Sequence, residues 1–326
     1  MSGFLKRSVR GVMSAWQGNW SSSVSEAFQA FGGQSHAGKR VTGETALQVS
    51  AVWSCVRRTA EVISTLPLAL YDRGSDGAKR RVDADVIDIL AVSPNPDQTA
   101  VEFWEGMVAH ILLRGNACAE RLNIGNRLVG LRPIPGMQPR VDRDGKLIYE
   151  HMDRGKLERL PAEKVFHLRG LGPGGGLGMS AIRYGAHSIG AALAADEAAG
   201  SIFANAMMPS GAIETDNGLS QEQRDKLRAH LNDFAGSSRV GKILTLEAGL
   251  KWRALQMNPE DAQLLETRRF NVEDVCRWFG VPPVVIGHAS DGQTMWGSGV
   301  EQIMLSWLTL GVNPLLTRIE KRIRKD

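Results

Sequence analysis

The sequence predicts an α+β fold in which long helices frame small sheets. Three observations predict it. Apolar residues recur at helical spacing through two long C-terminal stretches, residues 258–279 and 300–326. Residues 116–166 are strand-rich, with alternating or apolar segments parted by turn residues. A small strand–helix–strand segment, residues 209–257, interrupts the helical text instead of following it.

Residues 1–40 are rich in Ser, Gly and Gln and carry Trp16 and Trp20 with no sustained period. They are expected to form a mobile arm, a folded element being the alternative. Residues 46–64 read as a helix, because Leu47, Val49, Trp53, Val56, Ala60 and Ile63 share a spacing near 3.6, and Pro67 ends it. LALYDR (68–73) follows as a strand, and Gly74, Asp76 and Gly77 mark a turn. Residues 85–91 make a short helix before SPNPDQT, a loop with two prolines. Thr99 with Glu102 three residues on forms a capping box that opens a helix over 101–114. AERLNI, RLVGLRPI, PRVDRD and KLIYEHM then read as strands, separated by turns such as Asp144-Gly145.

LGPGGGLGMS (171–180) invites a phosphate-loop reading, but Met179 stands where a P-loop needs Lys. Asp196 and Glu197 lie near the spacing of a dinucleotide fingerprint, yet in an Ala-rich helix and not at a strand end. A flexible turn leading into a helix is the plainer reading. That helix, 182–206, is dense in Ala and Gly. Small residues permit close backbone approach, which suits either an ordinary buried helix or a ring of crowded ones. GAIET (211–215) is a short strand, Ser220 with Gln223 caps the helix SQEQRDKLRAHLNDF, and two short strands are expected around residues 247–249. Asn258 is the N-cap of the next helix, with Pro259 first and Glu260 and Asp261 in the first turn. Its apolar face is Leu264, Leu265, Val272, Val275, Cys276 and Phe279; Gly280, Pro282 and Pro283 stop it. The last helix repeats the pattern at Ile303, Met304, Trp307, Leu308, Val312, Leu315, Leu316, Ile319 and Ile323, with a kink expected at Pro314.

The chain has 326 residues, 43% of them hydrophobic, enough for a substantial core. Thirty-nine basic against 35 acidic residues leave a net charge of +4, too balanced for tight nucleic-acid binding by bulk charge. The three cysteines, Cys55, Cys118 and Cys276, are far apart and form no CxxC pair. That implies a reducing compartment, free thiols and no zinc site. No apolar run reaches about 18 residues, so no transmembrane helix is expected. The basic, mildly amphipathic start FLKRSVRGVMSAW lacks the apolar core and cleavage site of a secretion signal.

The order "long helix, WFGVPPVVIG, loop, GSGVEQ, kinked helix" is similar to the portal protein family of long-tailed double-stranded-DNA phages. LQVSAVWSCVRRTAEVISTLPLALY (47–71) resembles the family's first region. LRGNACAERL (113–122) with LRPIPGMQPRV (131–141) resembles its second, and VFHLRGLGPGGGLGMSAI (165–182) its third. The likeness runs over roughly residues 40–326 with the regions in order. It implies a portal fold: a mixed α/β wing over 41–181, a first stem helix over 182–207, and a small α/β clip over 208–257. A second stem helix over 258–280, a tunnel loop over 281–299 and a kinked wing helix over 300–326 would follow. Family members usually run on into a helical crown, so a crown that is short, absent or removed is expected, and the arm of 1–40 can reach a neighbouring subunit.

The resemblance further implies a ring oligomer, a dodecamer in the virion, set at one capsid vertex after assembly in the host cytoplasm. Expected partners are sequence-independent double-stranded DNA, the major capsid protein, the terminase large subunit and a head-tail adaptor, with no membrane. The tunnel loop would bring His288, Ser290, Asp291, Gln293, Thr294, Met295 and Trp296 to the channel; a plain hinge loop is the alternative. Arg268, Arg269 and Arg277 of the second stem helix either face the channel or pair with Glu266, Glu273 and Asp274 on neighbouring helices. Arg224, Lys226 and Arg228 of the clip helix either face the terminase or make a solvated face. No catalytic residue, metal or cofactor is expected: there is no GxSxG, no HExxH and no clustered ligand spacing. His167, His187 and His288 read as solvated loop histidines. Two other classes stay open, a phosphate-dependent enzyme using residues 172–180 and a non-channel scaffold or adaptor.

Overall fold

The computed structural model describes residues 32–173, 177–204, 211–214, 218, 220–234, 251–254, 259–288 and 298–326. They divide into two units, one holding residues up to Ala195 and from Thr267 on, the other Asp196–Glu266.

The first unit opens with a hairpin of β1 (Gly32–Gln34) and β2 (Arg40–Thr42). The arm expected over 1–40 therefore ends sooner, because residues 32–40 are already folded; residues 1–31 lie outside the described residues. Ser35 explains the fold: its Oγ donates to the Lys39 carbonyl at 2.9 Å and closes the turn. Thr42 and Thr45 then cap α1 (Gly43–Leu47) reciprocally, and Val49 is extended (ψ 116) before α2 (Ser50–Ser64). The single helix expected over 46–64 is thus two helices. The Thr42 cap starts the first one early, and the chain resets at Val49. β3 (Tyr71–Arg73) and β4 (Lys79–Arg81) form a hairpin over the Gly74–Gly77 turn, so the strand expected from residue 68 begins only at Tyr71.

After α3 (Asp85–Ala91) comes α4 (Ala100–Arg114), opened by the expected box: Glu102 N–H donates to Thr99 Oγ1 at 3.3 Å, and Thr99 N–H to the Glu102 carboxylate at 2.7 Å. Helix α4 is the core of the unit. Phe103, Trp104, Met107, Val108 and Ile111 are buried in one cluster with Cys55, Ala60 and Ile63 of α2. Trp104 satisfies its single donor on the Leu90 carbonyl at 2.8 Å.

Two antiparallel sheets follow. β5 (Asn116–Ile124) lies between β6 (Arg127–Pro133) and β10 (Val165–Arg169). β8 (Leu147–Asp153) lies between β7 (Gln138–Val141) and β9 (Lys156–Pro161). In β8 the alternation is clear: Tyr149 and His151 are buried, and Glu150 turns the other way to meet Arg140 and Arg159 on both flanking strands, each at 2.9 Å. Every pairing between described strands is antiparallel, which makes the class α+β.

The helix expected over 182–207 is interrupted. α5 (Ala181–Tyr184) ends at Gly185, whose φ −87 and ψ 11 leave helical geometry, and α6 (Ala186–Ala204) resumes from there. At Gly190 of α6 a Cβ would overlap the Ser35 side chain. The close approach that small residues permit is therefore used within the chain, by the β1–β2 hairpin.

The second unit, taken by itself, holds α7 (Gln221–Phe234) and an antiparallel hairpin of β11 (Gly211–Glu214) with β12 (Lys251–Ala254). Ser220 and Gln223 cap α7 reciprocally, at 3.3 and 2.9 Å. Of the two strands expected around 247–249, β12 is the second; the first lies outside the described residues.

α8 (Pro259–Phe279) carries the chain back to the first unit and stops at Gly280 (φ 65). α9 (Ser298–Trp307), a π-helical turn (Leu308–Val312) and α10 (Asn313–Lys325) complete the chain. The break in the last helix lies ahead of Pro314 and not on it. Proline lacks the N–H for the carbonyl four residues back, and its ring crowds that carbonyl, so the ladder widens over the preceding turn.

Thr99→Ala should lower stability by about 1 kcal/mol and Phe103→Ala by roughly 3–5 kcal/mol, read from urea unfolding midpoints.

Candidate functional site

The foot of α8 and the segment after it form the first candidate. Val275 and Cys276 are buried, whereas Thr267, Arg268, Arg269 and Phe270 are exposed. The chain leaves the helix under control: Val281 N–H donates to the Cys276 carbonyl at 3.1 Å, and Val281 is itself buried. Pro283–Ile286 form a 3-10 turn, and half-buried His288 donates its backbone N–H to the Pro283 carbonyl at 3.0 Å. On the far side α9 runs to Trp307, which is buried in the main core. Both ends of the loop are therefore rooted in folded structure. Ser290, Asp291, Gln293, Thr294, Met295 and Trp296 lie outside the described residues.

Arg277 is exposed and ion-paired along its own helix, to Asp274 at 3.5 Å and Glu273 at 3.8 Å. Its guanidinium also lies over the Phe270 ring, 5.6 Å from the centroid. For Arg277 the pairs made within the chain run along α8, because i+3 and i+4 neighbours share a face. On α7, Arg224 and Lys226 are exposed, and Lys226 pairs with Glu222 at 2.8 Å; the Arg228 side chain lies outside the described residues.

The glycine-rich turn is the second candidate, and its described part is tightly held. Asn116 accepts from Gly178 N–H at 2.8 Å and donates to the Gly178 carbonyl at 2.9 Å. Met179 N–H donates to the Leu171 carbonyl at 2.7 Å. These amides are committed to the chain itself, not presented as an anion cradle. A Cβ on Gly178 would overlap the Gly115 carbonyl, so the approach requires glycine.

Behind Asn116 stands His167, fully buried in β10 and not the solvated loop histidine expected. Its Nδ1 faces two donors, Tyr149 Oη at 2.9 Å and Arg169 Nε at 3.3 Å. An arginine N–H only donates, so Nδ1 is the acceptor and the proton sits on Nε2, which reaches Asn116 Oδ1 at 3.0 Å. Burial, with Arg169 and Arg322 nearby, holds the imidazole neutral and pushes its pKa down to about 3. Tyr149, Asn116 and the tautomer of His167 had no sequence signal, since strands 116–124 and 165–169 meet only through the sheet register and Tyr149 comes from β8 of the other sheet. His187 is exposed on α6 and stacks on His36 with ring centroids 3.8 Å apart. Among the described residues no group of three or more His, Cys, Asp or Glu is arranged to hold a metal, and no helix is long and apolar enough to cross a membrane.

The family model described as phage portal protein matches residues 50–326. The chain belongs to the phage portal protein family. It is 30% identical over 291 residues to the portal protein of Enterobacteria phage HK97, covering 87% of this chain and 68% of that one. It is 32% identical over 297 residues to the probable portal protein of Streptomyces phage phiC31, covering 87% and 65%. The chain thus spans about two thirds of the length of these curated relatives. In solved structures it is similar to a chain in the neck of an empty gene transfer agent particle (TM-score 0.66, 24% identity, 85% of this chain and 78% of that chain). It is also similar to an HK97 family phage portal protein from Corynebacterium diphtheriae (TM-score 0.55, 18% identity, 85% and 87%). These likenesses show a portal fold. Portal proteins are structural rather than catalytic.

The His167 network sets a pH dependence. The folded imidazole stays neutral down to about 3, whereas the unfolded one charges below about 6.5. Its contribution is whole above that upper value and is lost as pH falls toward the lower one. Stability should drop by about 2 kcal/mol between pH 7 and pH 5 from this group. His167→Gln should unfold at lower urea than wild type at pH 7 and show a pH dependence shallower by about that amount.

Proposed function

We propose that this portal-family chain assembles into a ring, a dodecamer in the virion, that forms the DNA channel at one capsid vertex. The observation that carries this reading is the extent of the family match, which runs unbroken through both long helices, the loop and the broken C-terminal helix. In this reading residues 41–181 with 300–326 make the wing, 182–207 and 258–280 the stem, 208–257 the clip and 281–299 the tunnel loop. The ring nucleates head assembly in the host cytoplasm, docks the terminase large subunit at the clip, passes DNA inward and later joins the tail adaptor. The major capsid protein surrounds it, and ATP hydrolysis belongs to the terminase.

The electrostatics support a conduit. DNA that must slide needs weak contacts of no fixed register, because each phosphate neutralised by a cation adds to a salt-dependent hold on the strand. Arg277 meets that need by sharing its charge with Glu273 and Asp274. The balance of 39 basic and 35 acidic residues acts in the same direction. A loop rooted at both feet can press on a passing duplex without leaving its place.

Native mass spectrometry of the purified chain is expected to show a closed ring mass. A monodisperse monomer at high concentration contradicts the reading. Deleting residues 291–296 should leave that ring mass unchanged while lowering DNA packaged per particle in a complementation assay; loss of the ring would make the loop a structural element of assembly.

A further inference from the structure

Two of the three cysteines meet in the core. Cys55 of α2 and Cys276 of α8 are 221 positions apart in sequence, with their Sγ atoms 3.9 Å from each other. Both are buried, Cys55 at 0% and Cys276 at 1% exposure. A disulfide needs about 2.05 Å, so each sulfur must advance by about 1 Å, which a χ1 rotation of roughly 35° supplies. Cys55 donates its S–H to Cys276 Sγ. Receiving that bond holds the Cys276 thiol below its ordinary range, with Arg277 helping, against burial and Glu273. Donating it, together with burial, pushes Cys55 up. The pair is therefore asymmetric, one sulfur biased toward the nucleophilic thiolate and its neighbour holding a proton. Cys118 sits elsewhere, packed with Met137, Tyr149 and Val165.

We infer that Cys55 and Cys276 are a redox-modification site, closing under peroxide into an intrachain disulfide that staples α2 to the foot of α8. Peroxide is small enough to reach a buried pair through core fluctuations. The Cys276 sulfur attacks one peroxide oxygen and breaks the O–O bond: Cys276–SH plus H2O2 gives Cys276–SOH and H2O. The Cys55 sulfur then displaces the hydroxyl: Cys55–SH plus Cys276–SOH gives the disulfide and a second H2O. The thiols lose two electrons and two hydrogens overall, and peroxide is reduced to water. The bond closes a loop of 221 residues in the unfolded chain, which raises the folded state's relative stability. On the portal reading the open thiol pair would leave the stem adjustable in the reducing cell that builds the particle, and the bond would fix it after release. That consequence rests on the portal reading; the bond, lying within one chain, does not.

The test treats the folded full-length chain with hydrogen peroxide, alkylates it in denaturant and maps the peptides by mass. The expected product is a Cys55–Cys276 cross-linked peptide lighter by two hydrogens than its parts and cleaved by dithiothreitol, with Cys118 alkylated. The melting temperature should rise by roughly 5–10 °C and return on reduction. Cys55→Ser should strand Cys276 as a sulfenic acid that dimedone traps, while Cys276→Ser should leave Cys55 alkylatable. Both thiols alkylated after peroxide, oxidation of either to sulfinic or sulfonic acid without a cross-link, or a link through Cys118 would overturn the proposal. Native mass spectrometry of the same samples keeps the two ideas apart. A linked chain that never forms rings sinks the portal reading alone, and rings with both thiols intact sink the disulfide alone.

Discussion

The structure depends on one apolar seam at which the long helices are seated. Ile182, Ala186, Ile189 and Ala192 of α5 and α6 meet Val275 of α8 in a buried cluster that also takes in Val41, Val49, Val52 and Leu113. Each fully buried aliphatic side chain contributes about 1.5–3 kcal/mol, so the seam outweighs any surface ion pair on the same helices. Its geometry is set by what is missing as much as by what is present. With no side chain at Gly190, the β1–β2 hairpin can lie directly on α6. At Gly185 the indole of Trp278 closes against the backbone and donates to Ser188 Oγ at 3.1 Å. A bulkier residue in either place would lift its partner off the seam and tilt the helix that carries the next segment.

The same core holds both feet of the proposed tunnel loop. The loop after α8 starts from a helix end fixed by Val281 and ends on a helix fixed by Trp307, both buried in the core. The His167 network does similar work behind the glycine-rich turn. It satisfies the buried imidazole, both sides of the Asn116 amide and two backbone groups of Gly178 at once. Fully satisfied buried polar networks specify one arrangement, since any slip strands a donor in a low dielectric.

Much of the fold was legible in the sequence, and the misses have local causes. The caps at Thr99 and Ser220 and the start of α8 at Pro259 were readable because their signals span only a few residues. The breaks at Val49 and Gly185 were not, because the helical spacing of apolar residues continues across both positions. The π turn was half legible: Pro314 announced a defect, but the strain falls on the turn before it. The candidate site was less legible than the fold. Glu273 and Asp274 were named as candidate partners of Arg277, but not that they pair along its own helix, and His167 looked like a loop residue until the pairing of β10 with β5 and the packing of β8 placed it between Tyr149 and Asn116. Contacts separated by many tens of residues leave no mark on local periodicity.

The central claim is that α6 and α8 stand beside copies of themselves around a hollow axis, with the segment 289–297 nearest to that axis. A reconstruction of the purified particle at side-chain resolution tests it directly. It should show a closed ring with both helices running alongside the opening and residues 289–297 at its narrowest point. A particle without an axial opening, or with that segment on the outer rim, would contradict it.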